Sequence, residues 1–543
     1  MKTVLAHNSL VAALALLSSA APSAQCLLDK VAAGSPEEVA LFGRSLALSG
    51  DRALIGAPYE DSLDVGLPAG AAYVYERDGF AWVPAAKLLS DDLAPFDLLG
   101  HRVALEGDVA VVCAFGKETS TAFSGAVYVF ERVGSSWVQT AKLLTPTGPA
   151  GNYFGVDLDV SGDRILVGAM FQDGAGPEEG AAFVFGRSGG TWVPTAQLKA
   201  SDAAAHDSFG CSVAIDGPRA AVGACNVDSS GINSGAVYVY EDTGSGWVET
   251  AKLVPADATD WTRTGVDLDL EGDRLVAGAP NGTAFILGPG AAYVFEKPGP
   301  SWVEVAKLVP SGTTPNDQFG AYVELDGGTV FIASPVWNVN PVPGAVYGFS
   351  SAGGGWAETV VLGPGGGLGE DSFPNSMGFA GDVVAIGVEE SSDSLPQAGA
   401  VYFHSVSGAA CPTLTAKPPF LRVTQGGEQL LRLLPGAGHA GDLYLMLGTT
   451  AGTSPGVPVG SALLPLNPDG YTSFTLVAPN TPPLLNSFGV LDPLGQALAT
   501  FQLPPSFLGG LVGLVVHHAY VVFDPSTFTV ELASNPVDLG FVP

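Results

Sequence analysis

One unit of about 55 residues returns seven times between Leu41 and His404. It opens on Phe-Gly, reaches Gly-Ala-Pro 13 residues later, passes through Gly-Ala-x-Tyr-Val-Phe and ends on Trp and Lys-Leu. The openings are Phe42-Gly43, Leu99-Gly100, Phe154-Gly155, Phe209-Gly210, Thr264-Gly265, Phe319-Gly320 and Phe373-Pro374. The Gly-Ala-Pro positions begin at Gly56, Cys113, Gly168, Gly223, Gly278, Ala333 and Gly387, and the 13-residue offset survives even where a letter changes. A fixed period on this scale is the mark of a repeat architecture, in which each copy is one supersecondary unit that must stack on its neighbours to bury its core.

Each copy reads as strands. Ser45–Leu48 alternates, Ser49-Gly50-Asp51 turns, and Arg52–Ile55 alternates again, which is a hairpin. Ala71–Tyr75 and Trp82–Leu88 add two more strands around Arg77-Asp78-Gly79. Four short strands without helical period make one antiparallel sheet per copy, and seven such sheets arranged radially make a β-propeller. The seventh copy stops after Tyr402-Phe403-His404 without a Trp strand, while Lys30 lies 13 residues before Gly43, as Lys87 lies before Gly100. The stretch from Cys26 to Val31 is therefore expected to supply the missing outer strand and remove an open edge.

These Phe-Gly…Gly-Ala-Pro units resemble FG-GAP repeats, the blades of integrin α-chain propellers and of many secreted bacterial proteins. Metal-binding members of that family carry an Asp-x-Asp-x-Asp-Gly loop between the first two strands. Here the equivalent segments are only Ser49-Gly50-Asp51, Glu106-Gly107-Asp108, Ser161-Gly162-Asp163 and their counterparts. A calcium cage needs about six to eight converging oxygens, so no metal and no cofactor is expected.

Residues 1–24 read as a secretory signal peptide, with Lys2, an apolar Leu10–Leu17 and small residues up to Ala24. No later stretch is long and apolar enough to span a bilayer as a helix. The formal charge is −32, and residues 411–543 carry only three basic and seven acidic side chains, so most of it falls on the repeats. Such a charge argues against nucleic acid or an anionic membrane as partner. It serves solubility outside the cell, or gathers cations or a basic partner.

Five cysteines are few, yet an exported chain can oxidise some. Cys211 and Cys225 flank the Asp216–Arg219 turn of the fourth copy and form one disulfide candidate; Cys26 and Cys411 bracket the closing blade and form a second. Cys113 replaces a repeat glycine and reads as a buried filler; five free thiols remain the alternative.

From Cys411 to Pro543 the repeat is gone. Strand-like runs at Gln429–Leu434, Leu443–Leu447, Ser473–Val477, Leu498–Leu503, Leu511–Val516 and Ala519–Phe523, punctuated by Gly and Pro, read as a β-sandwich. His517 and His518 are neighbours on a strand and point to opposite faces, a poor metal pair and a structural one.

The chain contains no Gly-x-Ser-x-Gly, no His-Glu-x-x-His and no phosphate loop. Asp97, Asn152, Asp207, Asp317 and Asp371 recur two positions before the repeat Phe or its replacement, which suits turn formers that cap backbone N–H groups. Trp82, Trp137, Trp192, Trp247, Trp302 and Trp356 share one repeat position and read as blade packing. Trp261, Trp337 and Phe285 break the repeat in connections of the fifth and sixth blades and are the candidate ligand-binding residues.

The expected molecule is all-β: a signal peptide (1–24), a seven-bladed β-propeller (25–410) and a C-terminal β-sandwich (411–543). The expected role is that of a monomeric, secreted or cell-surface binding or adhesion protein, with no catalytic residue assigned and an extracellular protein or glycan as ligand. An exported polysaccharide-acting enzyme with acids in the propeller channel is the second reading, and a structural envelope component the third. Buried channel carboxylates of raised pKa would favour the enzyme; an aromatic loop face without them would favour binding.

Overall fold

The computed structural model describes residues 26–32, 40–63, 65–78, 81–118, 124–146, 152–174, 176–280, 289–310, 318–335, 344–352, 355–363, 373–388 and 398–406 of the repeat region. Beyond it, residues 413–417, 420–422, 427–434, 442–450, 457–459, 462–464, 466, 479–480, 483–491, 497–503, 515–523, 530–534 and 537–542 are described. Among these residues every helix or strand named is a strand.

Each repeat folds into one antiparallel sheet whose strands pair in chain order. In the first, Ser45–Ser49, Arg52–Ala57, Ala71–Asp78 and Ala81–Leu88 lie side by side. Sheets of the same order run from Leu99–Glu106 to Ser136–Leu143, Leu158–Ser161 to Thr191–Leu198, and Phe209–Asp216 to Trp247–Leu253. Two more run from Leu268–Glu271 to Val303–Leu308 and from Tyr322–Asp326 to Gly355–Leu362. The last copy contributes Ser376–Ala380, Val383–Val388 and Ala400–Ser405, and its fourth strand is Cys26–Val31, with Lys30 opposite Tyr402.

Neighbouring sheets share apolar cores, and the first shares one with the last. Leu46, Ile55 and Tyr75 pack with Leu28, Val383 and Phe403, and Trp82 stacks on Phe403 with centroids 4.2 Å apart. Ser376 Oγ donates to Gly43 O at 2.7 Å across the same seam. Trp82, Trp192 and Trp302 are buried, whereas Trp137, Trp247 and Trp356 are half-buried on their outer strands.

The repeat letters have physical reasons. The Phe-Gly of one copy bridges the Gly before the Ala-x-Tyr strand of the copy before it, as at Gly70 with Leu99 and, around the seam, Gly399 with Phe42. Gly70 has φ +89, and a Cβ there would stand 2.3 Å from Leu99 O. Only glycine meets both demands.

The hairpin turns also bind sheet to sheet. Gly107 N donates to Ser49 Oγ at 2.9 Å, Gly217 N to Ser161 Oγ at 3.1 Å, Gly272 N to Asp216 Oδ2 at 2.7 Å and Gly327 N to Glu271 Oε2 at 2.9 Å. The acids in these turns thus accept hydrogen bonds from the next copy. Asp97 and Asp207 cap as the sequence suggests, taking Ala94 N and Ala204 N at 2.7 Å each. Asn152 instead donates to the Gln172 side chain at 2.9 Å, and Asp317 and Asp371 lie outside the described residues.

In the C-terminal portion one sheet joins Thr413–Lys417, Gly427–Leu434, Ala497–Leu503 and Leu484–Leu485. A second is built on Leu443–Thr449 and Val515–Phe523 and includes Val537–Val542. Leu431, Leu433 and Phe501 of the first share a buried cluster with Tyr444, Met446 and Tyr520 of the second. Residues 515–523 form one continuous strand where the sequence suggested a break after Val516, because no turn residue interrupts His517-His518. His518 is fully buried beside Phe501, with ring centroids 5.4 Å apart, and His517 is half-buried. The expected strand Ser473–Val477 lies outside the described residues.

Candidate functional site

The first strand of every sheet faces a common central cavity of about 210 Å³. Strand alternation places the residues two and four positions after the repeat glycine on the cavity side. In the first two copies these are Ser45 with Ala47 and Arg102 with Ala104. In the third and fifth copies they are Asp157 with Asp159 and Asp267 with Asp269, and in the sixth Tyr322 with Glu324. Five carboxylates thus converge with two guanidinium groups, Arg44 and Arg102.

Each aspartate commits one oxygen to the neighbouring sheet. Asp157 Oδ2 accepts from Val213 N at 2.8 Å and Asp159 Oδ2 from Ile215 N at 2.7 Å. Asp267 Oδ2 accepts from Val323 N and Asp269 Oδ2 from Leu325 N, each at 2.7 Å. Asp159 Oδ1 and Asp269 Oδ1 also take the N–H of Val160 and Leu270. The acids therefore join the third sheet to the fourth and the fifth to the sixth.

Their titration is displaced upward. Burial raises Asp157 and Asp269 to about 6 and Asp159 and Asp267 to about 8. Mutual repulsion adds to burial at Asp159 and Asp267, and Glu324 is pushed well above its ordinary value by burial and then by the four aspartates. These side chains stand deep among protein atoms yet keep a wet edge; 21% of the Asp157 side chain stays open to the cavity. The solvent-facing edge partly screens the charges from one another. Arg102 Nε stands 3.8 Å from Asp157 Oδ1, too far for a direct hydrogen bond. Near pH 7 the ionised Asp157 and Asp269 are matched by Arg44 and Arg102, while Asp159, Asp267 and Glu324 largely hold their protons, so the cavity carries little net charge. Among the described residues no group of three or more His, Cys, Asp or Glu side chains is placed to hold a metal ion.

A different set of aspartates lies where the Lys-Leu of one copy meets the next. Asp202 accepts from Tyr238 Oη and Lys252 Nζ at 2.7 Å each; Asp257 accepts from Tyr293 Oη at 2.8 Å and Lys307 Nζ at 2.6 Å. Asp92 holds Tyr128 Oη and Lys142 Nζ at 2.6 Å. These networks explain why Tyr and Lys recur in the repeat.

The loop face holds one of the three expected aromatic residues within the described structure. Trp261 is 38% exposed, with φ +65, and its N–H donates to Ile232 O at 2.7 Å. Phe285 and Trp337 lie outside the described residues. Two equivalents of Trp261 escaped the sequence reading. Phe96 and His206 occupy the same position, three before the repeat Phe or its replacement, with φ +68 and +69 and their N–H groups on Pro68 O and Pro177 O. Phe96 is 57% exposed and His206 is exposed beside Glu178. Aligning the copies on Phe-Gly was the signal that could have found them.

Cys211 and Cys225 do come together, as free thiols: Cys225 N donates to Cys211 Sγ at 3.2 Å. Cys113 is free and buried, as a filler should be. The side chain of Cys26 and all of Cys411 lie outside the described residues.

Repeated four-stranded sheets around a common cavity define a β-propeller type of protein. The FG-GAP repeat model matches residues 29–75, 82–130, 137–185, 192–240 and 247–295. Residues 29–295 thus carry five FG-GAP repeats. No curated protein matches it. Solved structures similar to it include the GH74 xyloglucanase from Xanthomonas campestris, at 13% identity and TM-score 0.40, covering 75% of this chain and 59% of that one. An acylaminoacyl peptidase in complex with Z-Gly-Gly-Phe-chloromethyl ketone is similar at 10% identity and TM-score 0.34, covering 70% of this chain and 52% of that one. The chain therefore spans less than two thirds of either neighbour. Among the described residues no helix is long and apolar enough to cross a membrane.

Proposed function

We propose that this is an exported, non-catalytic binding protein: a leader (1–24), a seven-bladed propeller (25–410) closed by its N-terminal strand, and a C-terminal β-sandwich (411–543). It acts as a monomer, secreted or at the cell surface, and offers its loop face to an extracellular protein or glycan. The observation that carries the reading is the trio Phe96, His206 and Trp261. All three are exposed and all hold a left-handed backbone that non-glycine residues rarely adopt. Repeat packing does not require exposed rings, and rings on loops of a rigid scaffold are suited to contact. The test is a glycan and secretome binding screen, followed by Phe96→Ala and Trp261→Ala. Each should weaken binding by about 2 kcal/mol, roughly thirtyfold, with the melting temperature little changed. Unchanged affinity, or unfolding in both variants, overturns the reading.

A second reading rests on the cavity, whose buried carboxylates of raised pKa are the feature named above as favouring an enzyme. Hydrolysis of a glycosidic bond uses one protonated and one ionised carboxyl, and Asp159 and Asp267 at about 8 stand beside Asp157 and Asp269 at about 6. Against it, each of these aspartates already holds a backbone N–H of the next sheet. Release of reducing ends from a polysaccharide panel, abolished in Asp159→Asn and Asp267→Asn, would turn the balance to the enzyme.

A further inference from the structure

Cys211 follows the loop that carries His206, and Cys225 opens the connection whose Ile232 O accepts the Trp261 N–H. Cys211 falls in the register shift between Phe209 and Val213, and Cys225 is the first residue past the strand Arg219–Ala224. The shift brings the Cys211 sulfur to the Cys225 N–H at 3.2 Å and lets its S–H reach Gly265 O at 3.4 Å. Cys211 is half-buried, so the pair can be approached from one side, while Cys225 is 6% exposed. The third member is Arg263, two residues beyond Trp261. Its backbone is held at φ +56 and its Nε is buried without a hydrogen-bond partner. The Cys211 thiol and then the Arg263 charge hold Cys225 below its ordinary value against burial, while burial and its partner push Cys211 up. Cys113, buried with no second thiol, is pushed up by burial.

We propose that Cys211 and Cys225 form a redox-active dithiol, with Arg263 as its positioning residue, that exchanges with small-molecule or protein disulfides. The pair's thiolate attacks one sulfur of an external disulfide R–S–S–R, forms a mixed disulfide and releases RS⁻. The second cysteine sulfur then attacks the cysteine sulfur of that mixed disulfide and displaces the second RS⁻. The two cysteine protons end on the two released thiolates, so two thiols are oxidised and one disulfide is reduced to two RSH. A thiolate stabilised by a guanidinium and a neighbouring S–H is the nucleophile this exchange needs. The site is independent of the binding reading; its bond would tie the end of the His206 loop to the connection that holds the Trp261 N–H through Ile232 O.

The full chain is equilibrated in graded mixtures of reduced and oxidised glutathione, alkylated and mapped by peptide mass spectrometry. The 211–225 cross-link should appear and reverse within the glutathione range, with Cys113 alkylated only after unfolding. Cys211→Ser or Cys225→Ser should stop at a single glutathione adduct on the remaining cysteine of the pair. Arg263→Gln should slow exchange about tenfold at pH 7 and much less at pH 9, since at high pH the thiolate forms without help; Arg263→Lys should restore most of the rate. Two thiols alkylated at every glutathione ratio overturn the dithiol. A cross-link that resists excess reductant in the native protein is a structural disulfide and overturns the redox role. A pH–rate profile unmoved by Arg263→Gln overturns the part given to Arg263.

Discussion

Asp92, Asp202 and Asp257, where successive copies join, each meet a lysine and a tyrosine; Asp157, Asp159, Asp267 and Asp269, in the cavity, meet backbone N–H groups and one another. Lysine and tyrosine hydrogen bonds outweigh burial at Asp92 and bring it down to about 2, and they lower Asp202 and Asp257 as well. Burial wins in the cavity and raises all four aspartates there. The same side chain on the same scaffold strengthens the fold where a lysine bonds it directly and strains it where burial outweighs the nearest cation, as at Asp157 with Arg102 3.8 Å away. The cavity keeps the acids nonetheless, because each oxygen that accepts an N–H joins two sheets.

The sharpest way to break this comparison is to separate acceptor from charge at one position. Asp269→Ala removes the acceptor of Leu325 N and Leu270 N together. It should cost about 1–3 kcal/mol, the penalty for a buried polar group left without its partner. Asp269→Asn deletes the charge and keeps an acceptor for one of the two N–H groups but turns an amide N–H2 toward the other, so at pH 8 it should cost less than Asp269→Ala. Urea melts of both variants at pH 8 decide it, and equal losses would show that the charge itself is needed.

The second effect is on pH. An unfolded aspartate titrates near 3.8, whereas the cavity set titrates near 6 and 8. Below the unfolded value both states hold their protons and the acids cost nothing. As pH rises the unfolded chain releases protons that the native cavity retains, so stability falls and levels off above about 8. The melting temperature should therefore drop between pH 5 and pH 9, and Asp159→Asn with Asp267→Asn should flatten the slope. A parent curve already flat over that interval would remove the cavity acids from the account.

The sequence showed the period plainly, and the physical reason is strict: Phe-Gly and Gly-Ala are fixed by backbone close approach, so they recur. Lys30 placed the closing strand for the same reason, since register repeats even where letters do not. The cavity was not read, although its signal was present. Val156-Asp157-Leu158-Asp159 and Val266-Asp267-Leu268-Asp269 are one pattern in the third and fifth copies, where the first has Ser45 and Ala47. Inward positions of a strand differ from copy to copy because each faces the cavity and not a repeated neighbour. Phe96 and His206 were missed on the same grounds: loop tips carry no packing constraint, so only alignment on the repeat brings them together.

A smaller effect belongs to the junction aspartates. Asp202→Asn should cost about 1 kcal/mol at pH 7, the ordinary worth of a charge-assisted hydrogen bond discounted for its half-open setting. Because the native carboxyl sits below its unfolded value, its contribution is present above about pH 4 and is lost as pH falls further. The variant and the parent should therefore converge in acid, the mirror image of the cavity pair, which converges with its variant at low pH only because neither is then charged. A constant difference from pH 7 to pH 2 would mean that Tyr238 and Lys252 act through packing alone.

The smallest effect tests whether turn acids matter as charges at all. Glu271 is exposed and accepts Gly327 N at 2.9 Å, and the same place is held by a neutral serine in the first and third copies, where Ser49 and Ser161 take Gly107 N and Gly217 N. If the acceptor alone counts, Glu271→Ser should be neutral and Glu271→Ala should cost about 0.5 kcal/mol, the lower end for a hydrogen bond at an exposed site. Neither should respond to salt, because an exposed charge without a cation partner has no attraction for salt to screen. Paired urea melts at low and high salt measure both. A salt-dependent loss in Glu271→Ser would show that these turns are sites of charge, and would erase the distinction between junction and cavity at the one place where the repeat itself treats serine and glutamate as equivalent.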